Sequence, residues 1–206
     1  MTNFDERAKD WDSDPNKVNR ARTVADAIRE SIPLSRQMRA LEYGCGTGLL
    51  SFALQSDLGQ ITLADTSQGM LDVLNEKIAN AGVTNMYPVR LDLTCDPLPA
   101  ERYDLTYSLM VLHHIHDFHD VLGRFYDLLI PNGYLLVADL DKEDGSFHTD
   151  GTTDVHLGFD RHELQKIVEN IGFGNIRFST AYEIKKQQIG NAEKIFPVFL
   201  MVAQKI

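Results

Sequence analysis

Three glycines at alternate positions, Gly44, Gly46 and Gly48, follow a short apolar run, and a carboxylate, Asp65, closes the next apolar run about 20 residues further on. Glycines spaced this way let the chain turn tightly and let a ligand approach the backbone. A helix starting behind them offers unpaired N–H groups. A carboxylate at the end of the second run can accept hydrogen bonds from both hydroxyls of a ribose. Together the two features predict a site for a nucleoside-bearing cofactor. The dinucleotide pattern G-x-G-x-x-G does not fit, because counting from Gly44 puts its last position on Leu49. Glu42, just before the loop, would repel a pyrophosphate and suit a cationic ligand, so a nicotinamide oxidoreductase is the weaker alternative.

Histidines supply a second set of reactive groups. His113, His114, His116 and His119 crowd one stretch, and any of them could serve as a general base. His113 and His114 stand nearest the end of an apolar run and are the candidate catalytic residues. His113 and His116 also have i, i+3 spacing beside Asp117, a possible metal pair, but the stretch reads as a loop and no metal is expected. A polar stretch over 141–159 holds His148, Asp150, Asp154 and His156. Long connections of this kind often line a binding site, so it is expected to shape the pocket of a second substrate. The two cysteines, Cys45 and Cys95, form no C-x-x-C pair, which leaves zinc and redox readings unsupported. Cys45 sits inside the glycine loop, where ligand contact is the simpler role.

These groups need elements to hold them. Asp14-Pro15 is a helix start, and Val18, Ala21, Ala25, Ile28 and Ile32 recur at helical spacing up to Pro33. Residues 40–43 read as a buried strand, 47–55 as a helix and 61–64 as a second strand. Ser67 caps a helix whose inner face is Met70, Leu71, Leu74, Ile78 and Ala81, and Gly82 stops it. Strands follow at 87–91 and 104–109. A helix carrying Val121, Leu122, Phe125, Leu128 and Leu129 closes at Pro131-Asn132-Gly133, and a fifth strand covers 134–139. Asp160 with Glu163 opens a last helix, which Gly172 ends. Two β-rich runs, 176–184 and 197–203, can pair antiparallel. Strands alternating with amphipathic helices predict a mostly parallel sheet covered on both faces. Ligands in such sheets lie at the carboxyl ends of the strands, where the glycines, Asp65 and the histidines all fall.

The chain of 206 residues has a formal charge of −10 and is 43% hydrophobic. That is too apolar for disorder and long enough for one domain with a large core. No apolar run reaches a membrane-spanning length, and the first residues lack a secretory pattern. The acidic balance disfavours phosphate backbones, and free thiols fit a cytoplasmic setting. No nucleic-acid or membrane partner is expected, and the oligomeric state is not legible.

Leu41-Glu42-Tyr43-Gly44-Cys45-Gly46-Thr47-Gly48 resembles the first motif of class I S-adenosylmethionine-dependent methyltransferases, an acidic residue followed by G-x-G-x-G. Residues 61–67 with Met70-Leu71 resemble the ribose-binding end of the second strand. Arg90-Leu91-Asp92-Leu93 is similar to the third motif, 103–108 followed by Val111-Leu112-His113-His114 to the fourth, and 129–136 to the turn into the fifth strand. The resemblance implies a Rossmann-like seven-stranded sheet with helices on both faces and an antiparallel C-terminal hairpin, all in one domain over 1–206. Within it, an N-terminal helical segment, 1–36, would close over the cofactor.

It also implies S-adenosylmethionine as methyl donor and S-adenosylhomocysteine as product. Gly44, Cys45, Gly46 and Gly48 would pass the methionine moiety, with Glu42 supporting the loop. Asp65 would hold the ribose. Thr66 and Met70 would lie against the adenine, Asp92 would accept from its amino group, and the Leu93 N–H would face its ring. Ser108 and Leu109 would line the sulfonium end, and Trp11 would belong to the closing segment. Asp104-Leu105-Thr106-Tyr107 departs from the Asn/Asp-Pro-Pro-Tyr motif of amino methylation on DNA bases. With no added recognition domain, the acceptor is expected to be a small molecule. A catalytically silent cofactor-binding module acting through a protein partner is the alternative.

Overall fold

In the computed structural model, which describes residues 4–148, 154–187 and 193–206, seven strands form one sheet in the order β3-β2-β1-β4-β5-β7-β6. They are β1 (Arg39–Tyr43), β2 (Gln60–Asp65), β3 (Met86–Arg90), β4 (Tyr103–Leu109), β5 (Leu129–Leu140), β6 (Phe173–Gln187) and β7 (Glu193–Lys205). The first five run parallel, and β7 lies antiparallel between β5 and β6. Strand order reverses between β1 and β4, which opens the crevice that α/β sheets use for ligands.

Among the described residues, six α-helices flank the sheet: α1 (Phe4–Arg7), α2 (Pro15–Ser31), α3 (Leu49–Leu54), α4 (Gln68–Ala81), α5 (Phe118–Leu128) and α6 (Arg161–Ile171). They bury two separate apolar layers. Val24, Ile28, Leu50, Leu54 and Leu74 of α2, α3 and α4 pack on one face, and Leu122, Phe125, Leu164 and Val168 of α5 and α6 pack on the other. No helix among the described residues is long and apolar enough to cross a membrane.

The expected caps form. Asp14 accepts from the Asn16 N–H, Ser67 from Met70, and Asp160 from His162 and Glu163. Gly82, at φ 64°, ends α4 in the left-handed conformation that an L side chain resists. Two boundaries differ from the sequence reading. Helix α3 begins at Leu49 rather than Thr47, because Gly48 at φ 78° is its N-cap and cannot be part of the helix. Strand β5 begins at Leu129, not at Tyr134: the Pro131-Asn132-Gly133 turn lies inside the strand, where Asn132 at φ 64° and a register shift opposite Tyr103 and Leu105 absorb it. The terminal hairpin extends beyond its apolar runs at both ends, because backbone pairing continues where the side chains turn polar.

The stretch after β5 is tied at both ends. Asp141 bridges to Phe159 and receives a forked pair of bonds from Arg161, 2.6 and 2.7 Å. Of the polar residues named there, Asp150 lies outside the described residues and Asp154 is exposed.

Candidate active site

At the carboxyl end of the sheet is a cavity of about 1180 Å³. It is lined by Trp11, Glu42, Gly44, Cys45, Gly46, Asp65, Thr66, Met70, Asp92, Leu109, His113 and His114. Those residues come from five different loops and strand ends, which the strand order brings to one side.

The glycines divide the work. A Cβ on Gly46 would stand 3.9 Å from both Met70 Sδ and Trp11 Nε1, in a slot open for a ligand. A Cβ on Gly48 would come within 2.6 Å of Leu74 Cδ1, so Gly48 serves helix packing and does not line the cavity. Asp65 takes the Gly46 N–H at 2.7 Å and the Ser67 N–H at 2.8 Å, one on each oxygen. A carboxylate has about four lone-pair positions, so both oxygens can still accept from neighbouring hydroxyls. Burial pushes the Asp65 carboxyl up, and these N–H groups oppose the rise.

Glu42 is not bound to the loop it was expected to support. It is buried and accepts from the Ser51 hydroxyl, which also meets the Tyr107 hydroxyl at 2.6 Å. Burial pushes its carboxyl up to about 8. The same burial raises the Cys45 thiol well above its usual range, so no thiolate forms there.

Two further residues differ from their expected places. The Leu93 N–H is donated to the Tyr43 hydroxyl at 3.1 Å, and Leu93 is fully buried away from the cavity. Ser108 also fails to line it, because strand alternation turns Ser108 inward and presents Leu109. Asp92 does line it, with one oxygen occupied by the Thr94 N–H and hydroxyl.

The N-terminal residues are stitched to the glycine loop and α4. Asp5 accepts from the Ser67 hydroxyl at 2.6 Å and the Gly69 N–H at 2.8 Å. Asp12 accepts from the Thr47 hydroxyl and from Lys77, each at 2.5 Å. Trp11 lies between these two anchors, with Lys17 Nζ 3.7 Å from its ring centre.

The histidines occupy a 3-10 turn at Leu112–His114, directly after β4. The His113 Nδ1 is 2.6 Å from the Asp139 Oδ1, both side chains being buried. Burial alone would raise the Asp139 carboxyl, but His113 beside it holds it below its usual range. With Nδ1 engaged, Nε2 of His113 is the nitrogen left for the cavity. His114 packs edge-on against Phe4, 5.5 Å between centres, and His148 from the stretch after β5 stands 5.4 Å from His113. His116 lines the cavity rim but does not join this group, and His119 is exposed outside it. The ring of His156 meets the carbonyls of Ile115 and His116, and the backbone N–H of His156 is donated to the His113 carbonyl, so this residue fixes the turn. Sequence reasoning missed Asp139, although its place at the carboxyl end of β5 follows the rule that located Asp65. Tyr43, Ser51 and Tyr107 carry no such signal; only the packing of strands and of α3 on the sheet reveals them.

The family model for the methyltransferase domain matches residues 41–137, which hold the glycine loop, Asp65 and both histidines. An uncharacterized methyltransferase of Schizosaccharomyces pombe is 28% identical over 198 residues, covering 80% of this chain and 70% of its own. The chain spans about half or less of the other leading curated relatives it matches. Among solved structures, a Haloferax volcanii protein in complex with the Trm112 methyltransferase activator has a TM-score of 0.77 at 17% identity, covering 98% of this chain and 97% of its own. Phosphoethanolamine N-methyltransferase 2 of Haemonchus contortus, solved with S-adenosyl-L-methionine, has a TM-score of 0.69 at 17% identity over 84% of this chain and 50% of its own. With the seven-stranded fold, the open Gly46 slot and Asp65 already in place, residues 41–137 belong to the methyltransferase domain family, in a fold shared with S-adenosylmethionine-dependent methyltransferases.

Proposed function

We propose that the chain transfers a methyl group from S-adenosylmethionine to a small-molecule acceptor bound at the histidine end of the cavity. The observation that carries this reading is that one cavity joins the Gly46 slot and Asp65 to His113 and His114. The donor supplies an activated methyl group on a sulfonium, an excellent leaving group. The protein's task is then to align the acceptor and exclude water. Asp65 would hold the ribose, Gly44, Cys45 and Gly46 the methionine portion, Thr66, Met70 and Asp92 the adenine, and Leu109 the sulfonium end. His113 and His114 would activate the acceptor, with Asp139 fixing the His113 ring. The segment 1–36, anchored through Asp5 and Asp12, would close over the donor as part of one domain spanning the chain.

A small acceptor is favoured by the site itself. Phe4, Trp11, Phe147 and Tyr182 line the cavity, giving an aromatic wall against which a small acceptor can pack. The Haemonchus relative acts on phosphoethanolamine by its name, which supports the same class here. Calorimetry with S-adenosylmethionine, S-adenosylhomocysteine and NAD tests the donor: the two adenosyl ligands should bind and NAD should not. A screen of metabolite acceptors, read as S-adenosylhomocysteine release, tests the reaction. Donor binding with silence across all acceptor classes would favour a cofactor-binding module that acts through a protein partner.

A further inference from the structure

We propose that His113, His114 and His148 form a binding site for one divalent transition-metal ion of the zinc class. Among the described residues, this is the one group of three histidine, cysteine or acidic side chains whose ligand atoms come this close, all within 4.8 Å of one another. The ring centres are 4.1 Å apart for His113 and His114, 5.4 Å for His113 and His148, and 5.5 Å for His114 and His148. The three rings stand together along one wall of the cavity, each with a ring nitrogen within reach of a shared space.

The donor set and its support are those of a catalytic metal site. Three neutral nitrogens suit zinc and its neighbours rather than magnesium or calcium, which take oxygen ligands. Metal-bound histidines almost always give their second nitrogen to a carboxylate or carbonyl that fixes the ring. Asp139 does this for His113 at 2.6 Å, with both side chains buried. The ligands come from the ends of two paired strands, His113 and His114 after β4 and His148 after β5. An ion with nitrogen bonds near 2.0–2.1 Å needs its ligands about 3.4 Å apart. Closing from 4.8 Å falls mainly to His148, which sits on a connecting stretch rather than on a strand. Three protein ligands leave a fourth position free, and all three histidines line the same cavity as Gly46 and Asp65.

The role of the ion rests on the methyl-transfer reading. A metal ion lowers the pKa of a bound hydroxyl, as it does that of bound water. An acceptor O–H or S–H at the open position would lose its proton to solvent water. Its lone pair then forms the bond to the methyl carbon as the carbon–sulfur bond breaks, and that electron pair returns to sulfur.

The test uses the full chain without a histidine tag, stripped with a chelator and then titrated with zinc chloride by calorimetry and with cobalt chloride by visible absorption. The expected result is one ion per chain. His114→Ala and His148→Ala should each abolish saturable binding, while His162→Ala, at an exposed histidine of α6, leaves it unchanged. Asp139→Asn should weaken it by about tenfold to a hundredfold. Thermal melting of each stripped variant checks its fold, and His148, on the connecting stretch, gives the safest substitution. No saturable binding of either ion, or binding that survives in both alanine variants, overturns the proposal. S-adenosylhomocysteine binding is measured on the same stripped protein. Failure of the metal site with that binding intact leaves the methyltransferase reading standing.

Discussion

The Asp139 carboxylate lies 2.6 Å from Nδ1 of His113, and neither side chain reaches solvent. It also receives the His113 backbone N–H, so one carboxylate orients both the ring and the turn that bears it. With Nδ1 engaged by the carboxylate, Nε2 is the ring nitrogen left for a further partner. Asp139→Asn keeps the shape but removes the charge and presents an amide donor to Nδ1. Methyl transfer should fall by at least about tenfold, while the affinity for S-adenosylmethionine, measured by calorimetry, should hold within about twofold. A normal rate in this variant would make the pair a structural contact only.

Glu42 should shape the dependence of stability on pH. Burial raises its carboxyl from 4.5 to about 8 in the folded chain. Below the lower value both folded and unfolded chains are protonated there, and the folded state is not penalised. As pH rises toward about 8, the unfolded chain ionises while the folded chain keeps its proton, so stability is lost across that window and levels off above it. Glu42→Gln mimics the protonated acid and keeps an acceptor for Ser51. Its stability relative to wild type, measured by denaturant melts, should rise steadily from about pH 5 to pH 8, by on the order of 3 kcal/mol. A difference that stays flat with pH would show that the buried group is not protonated.

Gly46 and Gly48 share a left-handed backbone but should fail differently. Alanine at either position carries the backbone penalty of positive φ, about 1 kcal/mol. At Gly46 the added methyl enters the open slot between Trp11 and Met70. Gly46→Ala should therefore cut S-adenosylhomocysteine affinity by tenfold or more with only a small drop in melting temperature. At Gly48 the methyl meets Leu74 at 2.6 Å, and overpacking of this kind costs about 1–3 kcal/mol. Gly48→Ala should melt earlier yet bind the ligand nearly normally at low temperature. The reverse pattern would exchange the roles assigned to the two glycines.

The contrast between these glycines shows what the sequence can carry. Alternating elements, helix caps at Asp14, Ser67 and Asp160, and the strand-end position of Asp65 follow from local pattern, because backbone geometry enforces them within a few residues. The partner of a group does not. Leu93 was expected to offer its N–H to a ligand, but Tyr43, at the end of β1 two strands over, takes it. Glu42 was expected to brace the loop, but β4 brings Tyr107, and α3 brings Ser51, against it. His148 stands far from His113 in sequence and joins it only because β4 and β5 are neighbours. Such pairings depend on strand order and register, which periodicity leaves open.

Trp11 gives a direct reading of the N-terminal segment, because it is the single tryptophan of the chain. Its indole faces the Gly46 slot, and its neighbours are held by Asp5 and Asp12. S-adenosylhomocysteine seated beside Gly46 would change the surroundings of that ring, so tryptophan emission should shift in a saturable way on titration. Asp12→Ala removes the bonds to Thr47 and Lys77 and frees the stretch that carries Trp11. These bonds are partly exposed, so their loss should lower overall stability by less than about 1 kcal/mol. The emission change should nevertheless shrink, and ligand affinity should fall by about fivefold to tenfold, since closing the segment then has to be driven by ligand binding. An unaltered titration in Asp12→Ala would show that the segment takes no part in holding the donor.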